Sequence, residues 1–122
     1  MTKSLVVVDD DVDMRALIRV VLGGEPELRI AAETDTADSA IALVEREQPD
    51  LIILNHFLEG DTRGLAVAGA LKRAAPGSKV VLFSSTDLTI EAGRDSAVDA
   101  FVSKRRLLAL LPTVSELLDL AG

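Results

Sequence analysis

The sequence predicts a single doubly wound α/β domain, and three observations carry that prediction. Short β-branched runs alternate with stretches whose apolar residues recur at i, i+3, i+4 and i+7. The runs Leu5–Val8 and Leu51–Leu54 are apolar without interruption, the pattern of parallel strands covered on both faces. No linker, repeat or low-complexity tract breaks the 122 residues, a length suited to one core.

The elements follow in order. Leu5–Val8 forms the first strand and ends at Asp9-Asp10-Asp11. Met14, Leu17, Ile18, Val21 and Leu22 then fall on one helical face, and Gly23-Gly24 stops the helix. Leu28–Ala32 is the second strand. Ala37, Ala40, Ile41 and Val44 restore helical spacing behind Thr34–Thr36, an N-cap region, and Pro49 closes that helix. The third strand, Leu51–Leu54, runs into Asn55-His56 and a loop marked by Gly60 and Gly64. Leu65, Ala68 and Leu71 carry the third helix to Pro76-Gly77. Lys79–Phe83 is the fourth strand, and Ser84–Asp87 can cap a weakly patterned helix around Ile90 and Glu91. Ala100–Val102 is the fifth strand. After Lys104-Arg105-Arg106, the Leu107–Leu111 segment leads to Pro112 in the first turn of a last helix, whose buried stripe is Val114, Leu117, Leu118 and Ala121. Five βα units of this kind fit a flavodoxin-like parallel sheet of strand order 2-1-3-4-5 over residues 1–122.

Composition narrows the function. The formal charge of −7 disfavours direct binding to nucleic acid, which needs clustered Lys and Arg. With no cysteine there are no disulfides, thiolate metal sites or cysteine nucleophiles. No apolar run approaches the roughly 20 residues that span a bilayer. The Met-Thr-Lys-Ser start carries no secretory pattern, so a cytoplasmic location is expected. In open α/β sheets the site lies at the carboxyl ends of the strands. Those ends hold Asp9, Asp10 and Asp11, then Asn55 and His56, then Ser84 to Asp87, and finally Lys104.

Read together, these ends resemble the receiver domain of bacterial two-component response regulators, over the whole chain. Val7–Arg15 looks like the family's acidic-pair segment and Pro49–Leu54 like the lead-in to its phosphoacceptor. Gly60 and Gly64 fall in the glycine-bearing loop. Val81–Ser85 is similar to the strand ending in the conserved hydroxyl, and Ala100–Lys104 to the strand ending in the conserved lysine. The resemblance implies a signalling module, not an enzyme. In it Asp9 and Asp10 hold Mg²⁺, Ser84 and Lys104 face the phosphoryl group, and Phe101 is the switch aromatic. Lys104 is expected to pair with Asp9, Asp10 or the Asn55 amide.

One departure decides the reading: the position matching the acceptor aspartate is Asn55. A neutral carboxamide has no ionised form near neutral pH and is a far poorer nucleophile than a carboxylate. Ordinary phosphotransfer should therefore fail, and Mg²⁺, left with two carboxylates and an amide oxygen, should bind only weakly. Relief of carboxylate crowding should stabilise the fold. An atypical receiver of this kind would act by binding a protein partner: a histidine kinase, an output domain, another regulator or a second copy. The resemblance places that contact on the face of the fourth helix, fifth strand and fifth helix. Lys104-Arg105-Arg106 replaces the family's usual Lys-Pro pair.

Two other readings stand beside this one. An ordinary receiver carrying an engineered Asp-to-Asn change, cut from a DNA-binding response regulator, would have the same sequence. A haloacid-dehalogenase-like phosphatase, with Asp9 as nucleophile and Asp11 as acid/base, matches Val6–Val12, but the second acidic pair of such enzymes is missing. His56, the single histidine, has Asp9 and Asp10 as its neighbours at the strand ends, too few strong ligands for a transition-metal site.

Overall fold

A computed structural model describes residues 2–120 and contains five parallel strands with helices on both faces. In chain order the elements are β1 (Lys3–Val8), α1 (Val12–Gly23), β2 (Leu28–Thr34), α2 (Ala37–Glu47) and β3 (Leu51–Leu54). A small hairpin of β4 (Phe57–Leu58) and β5 (Thr62–Arg63) follows, then α3 (Gly64–Ala74), β6 (Lys79–Ser84) and α4 (Thr89–Arg94). The chain ends with β7 (Ala100–Ser103), a 3₁₀ segment (Lys104–Ala109) and α5 (Leu110–Leu117). The sheet order is β2-β1-β3-β6-β7, which is the expected 2-1-3-4-5 once the hairpin strands are set apart.

The strand period of two sorts the apolar residues into two layers. Val6, Val8, Ile52, Leu54 and Leu82 pack with Ala40 and Val44 of α2, Ala68 and Leu71 of α3, and Ala92 of α4. Leu5, Val7, Ile53, Val81 and Phe83 pack on the opposite face with Ile18 and Leu22 of α1 and with Leu110 and Val114 of α5. Each large aliphatic side chain so buried contributes about 1.5–3 kcal/mol. Val114 is buried while Leu117 and Leu118 are half-buried against this layer; the expected fourth member of that stripe, Ala121, lies outside the described residues.

Local signals place the ends. Asp11 caps α1, its carboxylate accepting the Asp13 and Met14 N–H groups at 2.9 and 3.3 Å. Thr36 caps α2 by accepting the Ser39 N–H at 3.1 Å. Register then aligns the site: Val8 pairs with Leu54, Leu54 with Leu82, and Phe83 with Val102. Asp9, Asn55 and Ser84 therefore leave neighbouring strands together at one edge of the sheet.

Three features differ from the sequence reading. The loop after β3 contains the hairpin, because Gly60 and Asp61 take φ of 80° and 61° and reverse the chain; two-residue strands are too short to show a period. The segment after Lys104 begins as a 3₁₀ helix with a break at Arg106 (φ −122°, ψ 54°). Ser84 does not cap α4. The N-cap residue there is Leu88, and of the expected Ser84–Asp87 group it is the Asp87 carboxylate that accepts the Thr89 N–H at 3.0 Å at the start of α4, while the Ser84 hydroxyl accepts the Thr86 N–H at 3.2 Å and shapes the turn.

Candidate functional site

Asp9 is 1% exposed at the end of β1, and a charge there requires partners. One oxygen, Oδ1, accepts the Asp11 N–H at 3.0 Å. The other, Oδ2, faces the Lys104 ammonium at 2.8 Å and has no further partner among the described residues. Burial pushes the Asp9 carboxyl above its ordinary value, the Lys104 and Asp11 contacts pull it back, and nearby Asp10 adds to the rise. Lys104 stands at the start of the 3₁₀ segment with its ammonium 5.8 Å from the centre of the Phe83 ring. The expected Lys104 pair is therefore the one with Asp9. Arg15, on the first turns of α1, donates to the Asp9 carbonyl at 2.7 Å and reaches Glu33 of β2 at 3.3 Å.

Asn55, at the end of β3, is 4% exposed. Its backbone N–H donates to the Val8 carbonyl at 2.8 Å, tying the two strand ends together. Its side-chain Nδ2 donates to the Phe57 carbonyl at 2.5 Å and to Asp10 Oδ1 at 3.3 Å. Both neighbours can only accept, so the amide must turn its amino group to them. The sequence reading gave Asn55 an amide oxygen for a cation; the group presented is the opposite one.

That orientation bears on Mg²⁺, the ion the fold family implies. A hard divalent cation needs several oxygens free for it. Both Asp9 oxygens are engaged by Asp11 and Lys104, and Asp10 Oδ1 and the Phe57 carbonyl by Asn55. The residues as arranged do not fit the ion. Among the described residues no group of three or more His, Cys, Asp or Glu side chains is disposed to hold a metal.

The loop beyond Asn55 is packed tightly. The Gly64 N–H donates to the His56 carbonyl at 2.5 Å, and a Cβ on Gly64 would run into the Asn55 carbonyl oxygen. His56 Nδ1 lies 3.4 Å from the Leu65 N–H, which it accepts, and its ring meets Phe57 edge-on at 5.0 Å. Burial holds the imidazole below its ordinary value and Arg63 adds to that, while Glu91 opposes both. Arg63 in turn lies 4.6 Å over the Phe57 ring. The hairpin contacts and Arg15 had no signal in the sequence, since each depends on chain reversal or on which helix turn faces β1.

Ser84 is fully buried, and its strand pairs it with Ser103 beside the site. Phe101 is half-buried on β7 and lines a groove of about 570 Å³ with Ser85, Asp87, Thr89, Arg105 and Arg106. Of the three basic residues, Lys104 turns into the pocket while Arg105 and Arg106 stay exposed.

A model of the response regulator receiver domain matches residues 5–113, and the chain belongs to that family. The Fimbriae Z protein of Salmonella typhimurium is 29% identical over 105 residues, covering 84% of this chain and 50% of that protein. A protein-glutamate methylesterase/protein-glutamine glutaminase of Pseudomonas aeruginosa is 32% identical over 108 residues, covering 85% of this chain and 30% of that protein. The chain thus spans half or less of the length of these curated relatives. The fold matches a LuxR-family response regulator from Aurantimonas sp. SI85-9A1, at a TM-score of 0.88 and 20% identity over 98% of this chain and 86% of that one. It also matches the response regulator domain of Thermotoga maritima CheB, at 0.85 and 18% identity over all of both chains. No helix among the described residues is long and apolar enough to cross a membrane.

Proposed function

We propose that this receiver is a cytoplasmic, non-enzymatic signalling module whose phosphoryl input is closed at Asn55 and which acts by contact with another protein. The observation that carries the reading is the buried carboxamide at the end of β3, level with Asp9 and beside Asp10. An acceptor must offer an ionisable oxygen to phosphorus. Asn55 offers an amino group already bonded to two oxygens.

Output then lies with a surface. The α4-β7-α5 face supports that role: its groove joins apolar Phe101 to exposed Arg105 and Arg106, and Leu108 beside it is 82% exposed. A histidine kinase, an output domain, another regulator or a second copy of the chain would dock there. Similarity to proteins of which the match covers only 50% and 30% favours a second form of the same reading, in which the module regulates an attached output domain. The test is intact-mass analysis of the protein after incubation with an acyl phosphate and Mg²⁺. An unchanged mass is expected, and a gained phosphoryl group overturns the reading.

A further inference from the structure

We infer that the Asn55 amino group takes the place of a divalent cation as the donor that bridges the pocket's oxygens, so that the acidic pocket is hydrogen-bonded and ordered without metal. The inference goes beyond the closed phosphoryl input and can fail independently of it. A receiver could refuse a phosphoryl group and still need Mg²⁺ to hold its acidic pair.

Asp10 Oδ1 and the Phe57 carbonyl converge on the Asn55 amino group, and the Asp9 carboxylate at the end of β1 lies near enough to feel the Asp10 charge. Converging oxygens repel unless something positive lies among them. Lys104 supplies a full charge to Asp9 at 2.8 Å. The remaining two oxygens come from different segments, and a single amino group bridges them, at 3.3 Å to Asp10 and 2.5 Å to Phe57. An amide has two N–H donors, and each has its own acceptor. Turning the amide over would set its oxygen against both acceptors, so an arriving cation would have to break two hydrogen bonds to recruit it. An ion coordinated by the Phe57 carbonyl would also have to displace the Asn55 amino group that donates to it. Gly64, seated against the Asn55 carbonyl, leaves the chain there no slack on its other side. Replacing the amino group by a carboxylate oxygen would bring three carboxylates together and leave the Phe57 carbonyl without its donor. Cation dependence should then return.

The experiment compares melting temperature in EDTA and in millimolar Mg²⁺ for the protein, Asn55→Asp and Asn55→Ala, because an ion that binds only the folded state must raise the melting point. Amide spectra with trace Mn²⁺ then locate any bound ion through local broadening. The native protein is expected to melt at the same temperature in both conditions, with no broadening at residues 9–11 or 55–57 and with Asn55 side-chain protons protected from exchange. Asn55→Asp is expected to melt several degrees lower in EDTA and to recover with Mg²⁺. Asn55→Ala, which removes the bridge without adding charge, is expected to melt lower in EDTA than the native protein. A Mg²⁺-dependent rise in the native protein, or Mn²⁺ broadening confined to its pocket, overturns the inference whether or not either variant folds. So does Asn55→Ala melting as the native protein does. None of these outcomes would add a phosphoryl group, which only the mass measurement reads.

Discussion

The pocket between β1 and β3 and the face made by α4, β7 and α5 lie within one domain and are built on opposite rules. In the pocket the polar groups are matched: buried Asp9 with Lys104 and Asp11, exposed Asp10 with Asn55, buried Asn55 with Phe57. On the face, α4 is a six-residue helix whose N-cap residue, Leu88, has no capping side chain, the segment after β7 is kinked at Arg106, and Ile90 and Leu108 stand in water. Short helices and kinked segments belong to the low-stability end of a structure, the part that moves or docks. The contrast supports the docking role proposed for the face: a site with its own partners has little left to bind, whereas a face with exposed apolar and cationic groups has much.

The strongest way to break this contrast is to remove a pocket partner. Lys104→Ala leaves the Asp9 carboxylate buried and unpaired, and the expected loss is about 3 kcal/mol in urea unfolding. Adding Asp9→Asn to that variant should recover much of the loss, since the uncompensated charge is then gone. Substituting the face tests the other half. Leu108→Ser with Arg105→Glu is expected to change stability by no more than about 0.5 kcal/mol while weakening association with a docked partner. A loss comparable to that of Lys104→Ala would mean the face is structural.

The smallest effect concerns pH at the pocket's edge. Burial and Arg63 hold His56 below its ordinary 6.5, so the folded chain binds fewer protons than the unfolded one. Stability from neutral His56 is complete above that pH and drains as pH falls below it through the folded value. The difference between native protein and His56→Gln isolates this term from Asp9, whose carboxyl is shifted the other way. Native stability should fall more steeply than that of His56→Gln as pH drops below 6.5 in paired melts.

Much of this architecture is legible in the sequence because burial imposes periods. The unbroken runs Leu5–Val8 and Leu51–Leu54 mark central strands, and the stripe from Met14 to Leu22 marks α1. Strand order then brings Asp9, Asn55 and Ser84 to one edge, and Lys104 to Asp9. The hairpin was illegible, since two-residue strands carry no period and their reversal rests on the backbone angles of Gly60 and Asp61. The orientation of the Asn55 amide was illegible too. It is set by the Phe57 carbonyl, a backbone atom that no residue type announces. Ser84 was misread as a cap because a hydroxyl after a strand serves equally well in a turn, and α4 begins farther on, behind Leu88.

On the proposed function, Asn55 alone separates the pocket from the face. The most direct measurement records amide spectra of the native protein and Asn55→Asp, each before and after an acyl phosphate with Mg²⁺. Native resonances are expected to stay in place throughout, while Asn55→Asp gains a phosphoryl group and shifts along α4, β7 and α5. Donor-dependent shifts across that face in the native protein would contradict the account.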